Sequence, residues 1–234
     1  MSADPVERAA AALAPSGLIL RGGFVFAADE DRPAGPCGRP ARSVLLVGNG
    51  GAGYWRQFSR WRARQPAGIA HPLDTWSRAV IGEAAEAAGA RVVMPNDRPF
   101  APFQQWAMRA EGLRASPLGI LMHPRFGLWH AFRGALLLDA EISIHVLHEL
   151  NQVARDPIHL CDLCAGKPCL NACPAAAFDG ERFACEACVA HVRGPAGAAC
   201  RQRGCLARNA CPQAAQWRYP AEVQAFHQKA FAGL

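Results

Sequence analysis

No stretch of the chain approaches the roughly 20 uninterrupted apolar residues that cross a bilayer. The first residues, Met1–Arg8, include Asp4 and Glu7 where a secretory leader carries basic charge ahead of an apolar run. These two absences set the expectation of a cytoplasmic protein with no membrane partner. Charge is sparse as well: 19% of the 234 residues are charged and 51% are apolar. That balance excludes wholesale disorder and leaves a sizeable core for one domain plus a small module. The formal charge of +6 comes largely from arginine, yet no long basic stripe is present. Only Arg201, Arg203, Arg208 and Arg218 begin to gather, so nucleic acid is not an expected partner. A phosphate-bearing cofactor or an acidic redox partner suits such a patch equally well. Internal repeats and low-complexity tracts are missing too, apart from a general richness in alanine.

What the chain does have is cysteine. There are ten, and nine of them crowd between Cys161 and Cys211. A reducing compartment argues against a disulfide framework, which leaves metal as the better reading. Cys161, Cys164, Cys169 and Cys173 are spaced C-x2-C-x4-C-x3-C and end on Pro174; Cys185, Cys188, Cys200, Cys205 and Cys211 follow and end on Pro212. Bacterial two-cluster ferredoxins show this doubled cysteine-proline ending, and there the fourth cysteine of each run ligates the other cluster. The order therefore assigns Cys161, Cys164, Cys169 and Cys211 to one [4Fe–4S] cluster. Cys173, Cys188, Cys200 and Cys205 go to a second, with Cys185 spare or displacing Cys188. The competing reading is structural zinc, which also favours paired C-x2-C units. Cys37 stands alone in a loop.

Ahead of the cysteines, the pattern alternates strands with helices and indicates an α/β or α+β domain over residues 1–155. Helices are expected at Val6–Leu13, Trp55–Arg62, Leu73–Ala88 and Phe103–Leu113. Leu18–Leu20 and Phe24–Phe26 flank Arg21-Gly22-Gly23 and read as a hairpin. A Pro/Gly loop runs from Arg32 to Arg42, and Val44–Val47 and Val92–Met94 read as strands. The runs Leu118–Met122 and Trp129–Leu138, joined by a turn at Pro124–Gly127, are expected to pair. The cysteine module then occupies 156–215 and a tail 216–234.

Gly48-Asn49-Gly50-Gly51-Ala52-Gly53 follows a strand and matches G-x-G-x-x-G. A dinucleotide site needs an acidic residue near 20 positions on, at the end of a second strand. The candidate, Asp74, follows His71-Pro72 and reads as a helix start. A backbone-rich loop that admits a close ligand is the better expectation.

The run from Leu118 to Gly134, LGILMHPRFGLWHAFRG, resembles the signature of the type C cobalamin-processing chaperones, which strip the upper ligand from incoming cobalamin. Pro95-Asn96-Asp97-Arg98-Pro99 and the tail Arg218-Tyr219 through Gln224, Lys229 and Phe231 agree with it. The resemblance covers roughly residues 70–140 and 216–231, and in that family the stretch between carries no cysteine motif. The chain is also similar to epoxyqueuosine reductases, which join a cobalamin domain to a two-cluster module. Their signature looks like Pro124–Trp129, and their aspartate and following Trp-Ala like Asp97, Trp106 and Ala107. Both resemblances imply a nitroreductase-like α+β fold that binds cobalamin with its lower base detached, with a ferredoxin-like module here and a tail packing back on the first domain.

Residue by residue, the resemblance implies that Ala101, Pro102, Phe103 and Gln104 back the corrin, with Leu121 and Phe132 as further contacts. Arg133 and Arg218 match arginines that the chaperones use for glutathione. Asp97 replaces a chaperone arginine but matches the reductases' general acid, and Met108 stands where the chaperones have a histidine. Each has a bland alternative. Arg133 could pair with a buried carboxylate, Trp129 and Phe132 could be core, His123 and His130 could be structural, and Asp97 could cap the next helix. The expected function is reductive removal of a cobalamin upper ligand, with electrons from a flavin reductase or ferredoxin and glutathione as a further partner. The alternatives are a cobalamin-dependent reductase of an organic substrate and a non-catalytic cobalamin carrier.

Overall fold

The computed structural model describes residues 4–151 and 159–234. Helix and sheet are mixed throughout, an α+β architecture. The chain divides into two compact units: Met1–Gly112 with Ala131–Arg155, and Leu113–His130 with Asp156–Leu234. This boundary differs from the expected one near residue 155, because the segment 113–130 belongs with the cysteine-rich residues.

The first unit is built on a four-stranded sheet of order β1 (Ile19–Val25), β2 (Ser43–Gly50), β6 (His130–Leu138) and β3 (Arg91–Val93). Its β1–β2 and β3–β6 pairs are antiparallel. Val44–Val47 are fully buried, which is why that short run carries no polar alternation: it is an inner strand covered on both faces. Helix α1 (Pro5–Leu13), capped by the Asp4 carboxylate at the Val6 N–H, packs on α3 (Pro72–Ala88). Helix α2 (Trp55–Arg62) also meets α3, and α4 (Phe103–Glu111) and α5 (Ile144–Leu150) lie against β1. Gly48 sets the spacing of the sheet: a Cβ there would stand 2.1 Å from the Ala131 carbonyl oxygen.

Two sequence expectations fail here. The hairpin at Arg21–Gly23 is one continuous strand, β1, with a register shift between Leu20 and Gly23. Gly22 at φ 73° makes a bulge where a turn was expected. Nor do Leu118–Met122 and Trp129–Leu138 pair. β5 (Leu121–Met122) pairs with β4 (Arg114–Ala115) through a turn closed by Gly119 N–H donating to Ser116 O at 2.9 Å. The residues 123–127 fold back on themselves instead, with His123 and Gly127 exchanging backbone hydrogen bonds at 3.0 and 2.7 Å.

The second unit adds short helices: α6 (Pro168–Asn171), α7 (Cys185–Arg193), α8 (Ala198–Arg203), α9 (Leu206–Asn209) and α10 (Ala221–Ala232). α10 packs on α7 and α8. The tail thus belongs to the cysteine-bearing unit, whereas the sequence reading had it on the first domain. Gln224 fixes it there: its side chain exchanges hydrogen bonds with Asn209 and donates to Tyr219 O at 2.8 Å. No helix among the described residues is long and apolar enough to cross a membrane.

Candidate metal centres and the residues around them

The nine crowded cysteines are all free thiols, and eight of them fall into two sets within the second unit. Burial pushes the Cys161 thiol up to about 11, and the neighbouring Cys211, Cys169 and Cys164 add to it while Lys167 opposes. Cys169 is raised by burial and then by Cys211 and Cys164; Cys211 is raised by burial and by Cys164. In the other set, burial pushes Cys188 up to about 11, with Cys205, Cys173, Cys200 and Cys185 adding. Cys200 is raised by burial, Cys205 and Cys173, and Cys205 by burial and Cys173. Among these six thiols the strongest influences do not cross from one set to the other. Cys173, fourth of the first run, belongs to the second set, and Cys211, last of the second run, belongs to the first. Cys185 is exposed at the start of α7.

Four close, half-buried thiols resist becoming thiolates together, and a bound cation reverses that cost. Backbone donors support the same chemistry. Ala177 N–H donates to Cys173 Sγ at 3.4 Å and Arg208 N–H to Cys205 Sγ at 3.5 Å, the kind of N–H···S contact that tunes a cluster's potential. Cys161, Cys169 and Cys211 lie in an apolar cluster with Leu118, Met122 and Leu128, against which Cys173 and Cys205 also pack. Cys200 lies with Val192 and Ala232, and Cys188 packs against them. Among the described residues, no three His, Cys, Asp or Glu side chains close around a single metal ion as they stand. The sets are groupings of thiols, not finished coordination shells.

Sequence reasoning missed Lys167, and it read Arg208 only as part of a basic patch. Lys167, one of only two lysines in the chain, donates Nζ–H to Cys161 O at 2.7 Å and ties down the first cysteine loop. A lone lysine between C-x2-C and the next cysteine was the available signal. Arg208 donates to Leu128 O and stacks 4.5 Å from the Trp129 ring and 4.9 Å from Tyr219. It joins the second cysteine set to the segment 118–130. Arg201 likewise donates to Gly194 O at 2.7 Å, closing the end of α7. Two of the four gathered arginines therefore serve the fold.

The residues singled out by the resemblance fall in both units. In the first, Ala101 and Pro102 line an open cleft of about 440 Å³, beside Asp97, Phe100, Arg91 and Arg32. Phe103 is half-buried with its ring 5.5 Å from Trp106, while Gln104 and Met108 are exposed on α4. Asp97 accepts the Met94 N–H at 2.9 Å and ion-pairs with Arg78. Burial works against ionisation, but the hydrogen bonds from Arg78 and Met94 and the charges of Arg78 and Arg91 outweigh it and hold the carboxyl below its usual range.

Phe132 is half-buried with the Arg21 guanidinium 4.6 Å over its ring. Arg21 is itself buried in a bidentate pair with Glu111, both contacts 2.8 Å, and donates to Asn49 O at 3.0 Å. Arg133 donates Nε–H to Asn49 Oδ1 at 3.2 Å and reaches the Tyr54 hydroxyl at 3.5 Å. It is half-buried and, among the described residues, has no carboxylate partner, so the bland reading of Arg133 as half of an ion pair fails. Asn49 is thus the link between two cations of the sheet. This strand-loop-helix is no dinucleotide site: Asp74 sits in the first turn of α3, and the sheet pairs are antiparallel.

In the second unit Leu121 is buried, and its carbonyl accepts from His130 Nε2 at 2.8 Å. His123 Nδ1 accepts from the Arg125 and Phe126 N–H groups at 3.0 and 3.1 Å. Both imidazoles are engaged by the local backbone, which is the structural role. Arg218 is exposed, its guanidinium 5.8 Å from the Trp129 ring. No family model matches the chain, and no curated protein matches it.

Proposed function

We propose that this chain is a cobalamin-binding iron–sulfur reductase that removes the upper ligand, such as cyanide, from incoming cobalamin. On this reading the α+β first unit is a nitroreductase-like fold that takes cobalamin with its lower base detached, and the cysteine-bearing residues form a ferredoxin-like module. What supports it is the pattern of the cysteines, two runs that each end on cysteine-proline, together with the mutual influence of the thiols, which joins the proline-flanked cysteine of each run to the other run's set. Structural zinc accounts for paired C-x2-C units but gives no reason for the exchange of fourth cysteines between runs. Cys161, Cys164, Cys169 and Cys211 would hold one [4Fe–4S] cluster, and Cys173, Cys188, Cys200 and Cys205 the other. When bound, these clusters supply electrons one at a time.

Cobalamin is the substrate. One electron added to cobalt(III) fills an antibonding orbital along the axial direction and loosens the upper ligand; detachment of the lower base makes that reduction easier. The residues' part is to shape and dry the surroundings of the corrin; the resemblance gives Ala101–Gln104, Leu121 and Phe132 as corrin contacts, and Arg133 and Arg218 as partners of anionic groups. The partners are cobalamin, an electron donor such as a flavin reductase or ferredoxin, and glutathione if dealkylation occurs, in a cytoplasmic setting that keeps the thiols reduced.

The alternative is a reductase of a separate organic substrate with Asp97 as proton donor; the Arg78 pair and the Met94 N–H favour the carboxylate form of Asp97, which counts against that role. A non-catalytic cobalamin carrier is the third reading. The test is anaerobic turnover of cyanocobalamin with a low-potential donor, alongside iron and labile sulfide analysis. About eight of each per chain, with donor-dependent cyanide release, fits the proposal. Release of one equivalent without a donor selects the carrier, and zinc without sulfide overturns the reading.

A further inference from the structure

A cavity in the second unit is lined by Cys161, Cys164, Cys169 and Cys211 together, with Met122 and Leu128 in its wall. Lys167 stands in the same wall. Its ammonium is fixed at the thiols, because Nζ–H donates to Cys161 O at 2.7 Å. Among the described residues Lys167 has no carboxylate partner.

The backbone makes the choice of lysine informative. Lys167 has φ 37°, in the left-handed region, immediately after Gly166 at φ 71°. A glycine adopts that conformation more readily, so the strain is held for the sake of the lysine side chain.

Electrostatics indicates what that side chain is for. A cubane held by four thiolates is anionic, and its reduction adds a further negative charge. Apolar burial disfavours the added charge, and a cation beside it favours it. Cys161, Cys169 and Cys211 are only 9%, 9% and 6% exposed, so water offers little help. Lys167 already opposes the effect of burial on the Cys161 thiol. Arg218 acts on Cys211 in the same sense, but from an exposed position.

We infer that Lys167 is a positioning residue for electron transfer: its ammonium, held in the cavity wall, favours the reduced form of the cluster on Cys161, Cys164, Cys169 and Cys211. The inference rests on the cluster reading and adds the group that sets one cluster's potential. In the step itself one electron passes from a low-potential carrier to the cluster, with no bond made or broken.

The test is a redox titration of the full chain, purified anaerobically, followed by the electron paramagnetic resonance of the reduced clusters. Cys161→Ser, which keeps the second cluster, identifies the midpoint that belongs to the first. Lys167→Gln keeps a hydrogen-bond donor and removes the charge, whereas Lys167→Arg keeps both. Lys229→Gln makes the same change at an exposed position of α10. Lys167→Gln should disfavour reduction of the first cluster by about tenfold, a fall of about 59 mV in its midpoint, and leave the second unchanged. Lys167→Arg and Lys229→Gln should keep both midpoints at wild-type values. Loss of the first cluster's iron in Lys167→Gln but not in Lys167→Arg shows the same dependence on charge and supports the inference. An unchanged midpoint in Lys167→Gln, an equal shift or iron loss in Lys167→Arg, or an equal shift in Lys229→Gln overturns it and leaves the cluster reading standing. A wild-type chain without iron and sulfide overturns both.

Discussion

Arg133 donates its Nε–H to Asn49 Oδ1 at 3.2 Å, and the same Asn49 gives its backbone carbonyl to buried Arg21. Two cations therefore share one residue on the sheet, and Glu111 holds Arg21 in a bidentate pair. Removing Glu111 takes that carboxylate away from a buried guanidinium. Glu111→Ala should lose about 3–5 kcal/mol of stability, read as a lowered midpoint in urea unfolding. A loss within experimental error would show that Arg21 finds water on its own.

Asp97 offers a contrasting case. Its carboxylate closes a local loop through the Met94 N–H and Arg78, both pair members being partly exposed at 34% and 48%. Screening limits such a pair to about 0–1 kcal/mol. Because the folded carboxyl is held low, this contribution is full above the ordinary carboxylate range and fades as pH falls through the lowered value. Asp97→Asn should therefore flatten stability against pH only on the acid side. It should slow cyanide release by less than about tenfold, since no general-acid contribution of ~10²–10⁴ is lost. Affinity for cobalamin needs measuring alongside; a thousandfold rate loss with affinity and cluster content intact would favour the organic-substrate reading.

The crossed thiol sets make a distinctive claim about double variants. Cys161→Ser and Cys211→Ser lie in one set, so combining them should cost no more iron than either alone, about four of eight atoms. Combining Cys161→Ser with Cys205→Ser should remove nearly all of it, and Cys185→Ser should remove none. Additive loss for Cys161 with Cys211 would contradict the grouping. Much of the cobalamin affinity should survive in all of them.

Gly48 approaches the Ala131 carbonyl so closely that no side chain fits between β2 and β6. Gly48→Ala should destabilise the first unit by about 1–3 kcal/mol through forced strand separation, measured by thermal unfolding. An unchanged midpoint would mean the sheet yields at that point without cost.

The crowding of nine cysteines between Cys161 and Cys211 was readable in the sequence, as were the two cysteine-proline endings on which the expected grouping rests. Helices α1 to α4 were readable too, from apolar spacing and from Pro and Gly at their ends. The hairpin expected at Arg21–Gly23 was not, since a positive-φ glycine serves a bulge as well as a turn. Nor was the partner of β5: Leu121–Met122 is too short for alternation to say which strand it joins. The Arg21–Glu111 pair joins residues far apart in sequence, and no local pattern announces it. Arg78 gave no signal as the partner of Asp97, for the same reason.

The most direct test is the absorption spectrum of the reduced, anaerobically purified protein after mixing with one equivalent of cyanocobalamin. The account predicts that the cyanocobalamin bands give way to those of base-off cob(II)alamin as the broad cluster absorbance returns, with free cyanide released. A cyanocobalamin spectrum that persists while the clusters stay reduced would contradict it.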